Sequence, residues 1–241
     1  MKMSKSKINT YKKCPREFKY IYVDGIESPP NKYMQLGLDV HEIAEKVAKE
    51  LQNKKNITEK DIKSSLILND VCCDSEFDLS KHIDSLYSFF LNFCDGKYKI
   101  FGVEEHIYNS KLNINGIIDL IIEDQQTGNL LIIDYKTSKS KPITNYRLEL
   151  CIYRNLVEFK YPNKKVTTAI IFFTKDCKYR GFNFANQQEK GAYVTDKDYK
   201  SVFDYINFVK DNVAHNIFPP KKQFLCKYCN FQKQCSEDGG F

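Results

Sequence analysis

The 241-residue chain has no tryptophan, so its aromatic content rests on 16 tyrosines and 17 phenylalanines. It has no run of about 18 apolar residues, the length a membrane-spanning helix needs, so none is expected. Its first residues, MKMSKSKINTYKKC, carry charge without an apolar stretch, so no secretory leader is expected either. No Gly-x-x-x-x-Gly-Lys-Ser/Thr phosphate loop occurs, and any ATP-driven unwinding would fall to another chain. No internal repeat or low-complexity tract is visible, which leaves one medium domain, or one core with a small appendage.

These absences bear on the nine cysteines. Without a leader they are expected in a reducing compartment, where clustered cysteines read as metal ligands sooner than as disulfides. Lys and Arg number 37 against 31 Asp and Glu, a formal charge of +6. That excess is compatible with a polyanionic partner and is weak evidence alone.

Leu36, Val40, Ile43, Val47 and Leu51 recur at helical spacing and predict a helix over 35–52. A second helix is expected after Thr58, an N-cap with Asp61 three residues on, and a third over 78–94. The pattern then changes to strands over 98–108, 112–123 and 129–137, the last two joined by the polar turn Asp124 to Asn129. A helix over 144–160, a strand over 166–174 and a helix over 196–214 complete the order. This predicts an α/β (α+β) fold with a mixed sheet.

The segments GIIDLII and LLIIDYKTS place two aspartates among apolar residues. If the turn is symmetric about Gln126 and Thr127, Asp119 sits opposite Asp134, with Cβ atoms roughly 5 Å apart. Two carboxylates that close repel unless a cation lies between them or one takes a proton. Hard oxygen ligands at that spacing suit Mg²⁺ or Mn²⁺. Lys136, two residues after Asp134, shares its face of the strand and could offset charge on a metal-bound phosphate. An exposed hairpin with an Asp–Lys ion pair is the bland alternative; the apolar surroundings favour burial.

Gly-Ile-Ile-Asp followed by Leu-Ile-Ile-Asp-Tyr-Lys-Thr-Ser resembles the PD-(D/E)XK nucleases of the RecB-like type. The resemblance implies a restriction-endonuclease-like core, phosphodiester hydrolysis, Asp119 and Asp134 as metal ligands and Lys136 as catalytic lysine. The carbonyl of Tyr135 becomes a further ligand. His41 in Leu-Gly-Leu-Asp-Val-His matches the helical histidine of that branch and becomes a ligand too. Glu104 fits its glutamate on the preceding strand, in preference to Glu105, which strand alternation turns to the other face. The helix after the hairpin keeps the spacing of the branch's Gln-x-x-x-Tyr but reads Glu149-x-x-x-Tyr153. A carboxylate only accepts hydrogen bonds, so the replacement bears on substrate contact or adds an acid near the metal. Tyr153 is a candidate for stacking on a base or bonding a phosphate, with a core tyrosine as the plain alternative.

Near the end, Cys226, Cys229 and Cys235 stand in a C-x2-C-x5-C spacing, and three cysteines within ten residues imply a metal. Cys14 is the natural fourth ligand. Spacing alone leaves structural zinc and an iron–sulfur cluster close to parity. The distant first cysteine in Cys-Pro-Arg-x-Phe-x-Tyr resembles iron–sulfur nucleases of the AddB and CRISPR-associated type, which implies a [4Fe–4S] cluster stapling the chain ends. Cys72, Cys73, Cys94, Cys151 and Cys177 read as buried or incidental thiols.

The expected organisation is one nuclease domain over 1–241. Residues 1–34 and 216–241 form the cysteine region, 35–97 a helical insertion and 98–215 the catalytic core. Lys12, Lys13, Arg16, Lys139, Lys141, Arg147 and Arg154, with nearby aromatics, are candidate contacts to single-stranded DNA. The expected activity is a metal-dependent deoxyribonuclease, an exonuclease on single-stranded or end-frayed DNA, inside a bacterial, archaeal or virus-infected cell. A helicase, recombination or CRISPR-adaptation protein is the expected partner. The alternative is a non-catalytic binding or assembly subunit of the same fold.

Overall fold

Apolar residues between Tyr98 and Phe173 build the sheet at the centre of the protein. The structure, a computed structural model, describes residues 1–28, 32–54, 56–70, 79–93, 96–184 and 194–240. Its strands are β1 (Met3–Ser4), β2 (Tyr98–Asn109), β3 (Ile114–Asp124), β4 (Leu130–Lys136), β5 (Val166–Phe173) and β6 (Lys178–Asn183). β2 and β4 lie antiparallel to β3, β4 runs parallel to β5, and β6 closes the far edge antiparallel to β5. The parallel pair requires a crossover, which the helix α6 (Arg147–Lys160) provides.

Helices cover both faces. α3 (Lys32–Gln52), α4 (Glu59–Asp70) and α5 (Ser80–Phe93) share one apolar cluster with Leu120, Ile133, Tyr135 and Phe172. On the other face α1 (Lys5–Lys13), α2 (Pro15–Phe18), α6 and α7 (Asp196–Ala214) pack on Ile118, Ile121, Ile132 and Ile171. The α4 cap is the one expected: Thr58 and Asp61 exchange backbone-to-side-chain bonds in both directions. Gly116 on β3 lets α6 come close, since a Cβ there would lie 2.7 Å from Leu156 Cδ1. A Gly116→Val protein should therefore lose about 1–3 kcal/mol of stability by overpacking, read as a lower midpoint in urea.

Two strands escape the sequence pattern. β6 (KYRGFN) is an edge strand with one buried residue, so it lacks the buried apolar run that marks β3 to β5. β1 is two residues long and pairs in parallel with the start of β3, Met3 opposite Ile114 and Ser4 opposite Asn115. The N-terminal segment thus joins the central sheet, and Ile8, Tyr11 and Phe18 bury against it. Among the described residues no helix is long and apolar enough to cross a membrane. Cys72, Cys73 and Cys94 lie outside the described residues; Cys151 is buried and Cys177 exposed.

Candidate metal centre

β3 and β4 pair from Glu123 opposite Leu130 to Leu120 opposite Ile133, and there the ladder ends. The next two residues in that register are Asp119 and Asp134. In place of a further backbone rung, the Tyr135 N–H donates to Asp119 Oδ2 at 2.9 Å. The strands part here while β4 stays paired to β5. This parting opens the sheet to groups arriving from both faces.

From one face α3 delivers His41. Its Nε2 lies 3.1 Å from the Tyr135 carbonyl oxygen and its Nδ1 3.4 Å from Asp119 Oδ2. With the proton on Nδ1 facing Asp119 Oδ2, Nε2 turns a lone pair toward the Tyr135 carbonyl oxygen, a contact that a cation between them relieves. β2 delivers Glu104, which falls between the pairs Val103–Leu120 and Glu105–Ile118 and so stands level with Asp119. Its φ of 46° is unusual for a non-glycine residue. The ligand atoms of His41, Glu104 and Asp119 all lie within 4.8 Å of one another. Glu105, by contrast, pairs with Lys160 at the surface.

Asp134 is 1% exposed and stands outside that trio. Lys136 pairs with its Oδ2, Lys5 lies 3.8 Å from its Oδ1, and the Tyr153 hydroxyl donates to Oδ1 at 3.3 Å. Glu149 accepts from Lys136 at 3.0 Å and from Lys5. The glutamate in the motif position therefore clamps two lysines. Tyr153 corrects the stacking expectation: at 2% exposure it has no face to offer a base, and its hydroxyl serves Asp134. Lys5 had no mark in the sequence beyond a basic N-terminus.

The electrostatics follow from burial and neighbours. Burial, then the Asp134 charge, raises the Asp119 carboxyl to about 6. Burial, then Asp119, raises Glu104 to about 7. Burial also pushes Asp134 upward, but Lys136 and Lys5 outweigh it and hold that carboxyl below the usual range. Burial opposes the Lys136 charge, yet Asp134 and Glu149 outweigh it and keep the ammonium firmly protonated. A histidine nitrogen, two carboxylates held apart only by protonation and a fixed carbonyl form a donor set that fits Mn²⁺ or Mg²⁺.

A pH test follows. Carboxyls raised in the folded state stabilise the metal-free protein below their unfolded values, near pH 4, and that contribution is lost as pH rises through about 6 and 7. Asp134, held low, works in the opposite sense and only below about pH 4. A bound dication removes the penalty of ionising Asp119 and Glu104. Added Mn²⁺ should thus raise the melting temperature several degrees more at about pH 8 than at about pH 5, beyond what mass action alone gives at fixed affinity. Equal shifts at both pH values would count against Asp119 and Glu104 as ligands.

The cysteines converge elsewhere. Cys14, Cys226, Cys229 and Cys235 line one cavity, walled also by Arg16 and Tyr20. Among the described residues no three of their sulfurs lie within 4.8 Å of one another. The Gln223 N–H points at Cys226 Sγ at 3.4 Å, and that sulfur faces the Lys221 carbonyl at 3.7 Å. Around the cavity the chain ends are tied directly: Tyr11 to the Ile217 carbonyl at 2.9 Å, Arg16 to the Phe218 carbonyl at 3.0 Å, and Tyr20 to Asp238 at 2.7 Å. Arg16 is thus engaged in joining the termini. Arg147 and Arg154 do share a face of α6, and that face meets α7: Arg147 pairs with Asp198 at 3.0 Å, and Arg154 bonds Glu158 and lies over Tyr199. Lys139 is exposed in the loop after β4.

The sequence of 2–236 matches the family model of the PD-(D/E)XK nuclease superfamily, and the chain belongs to that superfamily. It is a nuclease-type hydrolase domain, and its mixed sheet flanked by helices fits a restriction-endonuclease-like core. The crystal structure of SSO0001 is similar over 82% of this chain and 94% of its own, at 15% identity and a TM-score of 0.35. No curated protein matches the chain.

Proposed function

We propose that the protein is a Mg²⁺- or Mn²⁺-dependent deoxyribonuclease of the RecB-like iron–sulfur type, acting as an exonuclease on single-stranded or end-frayed DNA inside the cell. The observation that carries this is the meeting of His41, Glu104 and Asp119 within 4.8 Å, where β3 and β4 part beside Lys136. His41, Glu104, Asp119 and the Tyr135 carbonyl would hold the cation, with Asp134 bordering it. The bound dication supplies Lewis-acid polarisation of the phosphate and lowers the pKa of a water. Lys136, charged and anchored by Asp134 and Glu149, sets a fixed positive charge where the phosphorane gains negative charge. Tyr153 keeps Asp134 in place from α6.

Cys14, Cys226, Cys229 and Cys235 lining one cavity would be the ligands of the cluster. Cys₄ ligation suits [4Fe–4S]. A helicase, recombination or CRISPR-adaptation partner would supply the opened ends.

The test is cleavage of end-labelled single-stranded DNA by anaerobically purified protein with Mg²⁺, Mn²⁺ or EDTA. Metal-dependent shortening from one end is the expected result. Cleavage unaffected by EDTA would sink the mechanism. A folded, iron-loaded protein that binds DNA without cutting it would move the assignment to a binding or assembly subunit.

A further inference from the structure

Lys5 lies 144 residues before Glu149, yet its ammonium reaches the Glu149 carboxylate and comes within 3.8 Å of Asp134. It also stands 5.2 Å from the centre of the Tyr153 ring. The backbone sets this up. β1 lays Met3 and Ser4 beside the start of β3, and the Ser4 hydroxyl accepts from the Lys7 N–H, so α1 begins at Lys5. Buried Ile8 and Tyr11 then seat the helix.

The charges explain what the contact does. Glu149 is 6% exposed and touches two cations, Lys5 and Lys136. Remove Lys5, and the Glu149 carboxylate keeps Lys136 as its one remaining cation among these contacts. Two ammoniums against the ionised Glu104, Asp119, Asp134 and Glu149 leave the site with two negative charges, the complement of one dication. Exposed ion pairs contribute little, but Asp134 and Glu149 are both buried, where an uncompensated carboxylate is costly.

We propose that Lys5 is a positioning residue of the metal centre: it shares the buried Glu149 charge with Lys136, so that Glu149 holds Lys136 in place without neutralising it alone, and makes the N-terminal helix part of the site. This deepens the nuclease assignment and rests on it.

The experiment is a double-mutant cycle on the full-length, anaerobically purified protein with Lys5→Met, Glu149→Gln and the pair together, plus Lys5→Arg. Two quantities are read: kcat and KM on single-stranded DNA, and the dissociation constant of Mn²⁺ alone by electron paramagnetic resonance. Lys5→Met should lower kcat about 10- to 100-fold with KM little changed, while the extra net negative charge tightens Mn²⁺ binding several-fold. Glu149→Gln in the same chain should bring both quantities back to within about threefold of the original, and Lys5→Arg should retain activity. Failure of the double variant to recover either quantity would overturn the proposal and make Lys5 a direct substrate contact or a folding residue. If the unaltered protein binds Mn²⁺ but cuts nothing, the nuclease assignment fails, and the Mn²⁺ cycle still decides whether Lys5 acts through Glu149.

Discussion

Lys136→Ala is expected to fold, bind Mn²⁺ and lose about 10²- to 10³-fold in cleavage rate, the scale of removing one fixed charge donor from a developing oxyanion. Asp134 then loses its closest cation while remaining 1% exposed. Lys5 and Tyr153 still face its other oxygen, so the buried carboxylate is not orphaned. The stability cost should therefore be about 2 kcal/mol, below the 3–5 kcal/mol of a fully broken buried pair. For a chain this long that is about 4–8 °C in melting temperature. The sign of the pH effect is fixed too. Asp134 contributes stability above its unfolded value because Lys136 and Lys5 hold it low, and the variant should lose part of that contribution at neutral pH. Circular dichroism, melting and end-labelled cleavage check the three parts. Cleavage within threefold of the original protein would remove Lys136 from the mechanism.

The second large effect concerns the cysteine cavity. On the proposed assignment of an iron–sulfur cluster there, Cys229→Ser should lose iron and visible absorption. Cys14→Ser tests the staple itself, since it cuts the one link from the N-terminal side while sparing the other three cysteines. Closing a loop of some 200 residues is worth about 5 kcal/mol in the chain-entropy model. The measured loss should be smaller, because Tyr11, Arg16 and Tyr20 already join the two ends by hydrogen bonds. Iron content and thermal melting are the readouts. Protein that carries stoichiometric zinc and no iron after anaerobic purification would contradict the cluster, and unchanged melting of Cys14→Ser would contradict the staple. Because α1 runs directly from Lys5 to Lys13 and Cys14 follows it, Cys14→Ser should also weaken cleavage by loosening Lys5.

Several elements were legible because their cause is local. Leu36 to Leu51 at helical spacing gave α3, and two apolar runs with the polar turn Asp124 to Asn129 between them gave the β3–β4 hairpin with its register. That register brings Asp119 level with Asp134 by symmetry of the turn alone. The capping pair Thr58 and Asp61 marked the start of α4. β6 was not legible, since an exposed edge strand has no apolar face to repeat. β1 was not legible either, because two residues carry no period and their pairing with Ile114 and Asn115 is a long-range choice.

The amino-acid sequence by itself determined the acidic hairpin, the lysine that shares its face, the histidine helix and the cysteine spacing, because covalent geometry and strand periodicity act over a few residues. The tertiary structure alone decided which groups meet. It placed His41, Glu104 and Asp119 together and set Asp134 apart between Lys136 and Lys5. It buried Tyr153 beneath the site and turned Arg147 and Arg154 toward α7. The reason is physical: a charge in a low-dielectric interior must find its partner in space, and that partner can come from any distance along the chain, as Lys5 does for Glu149.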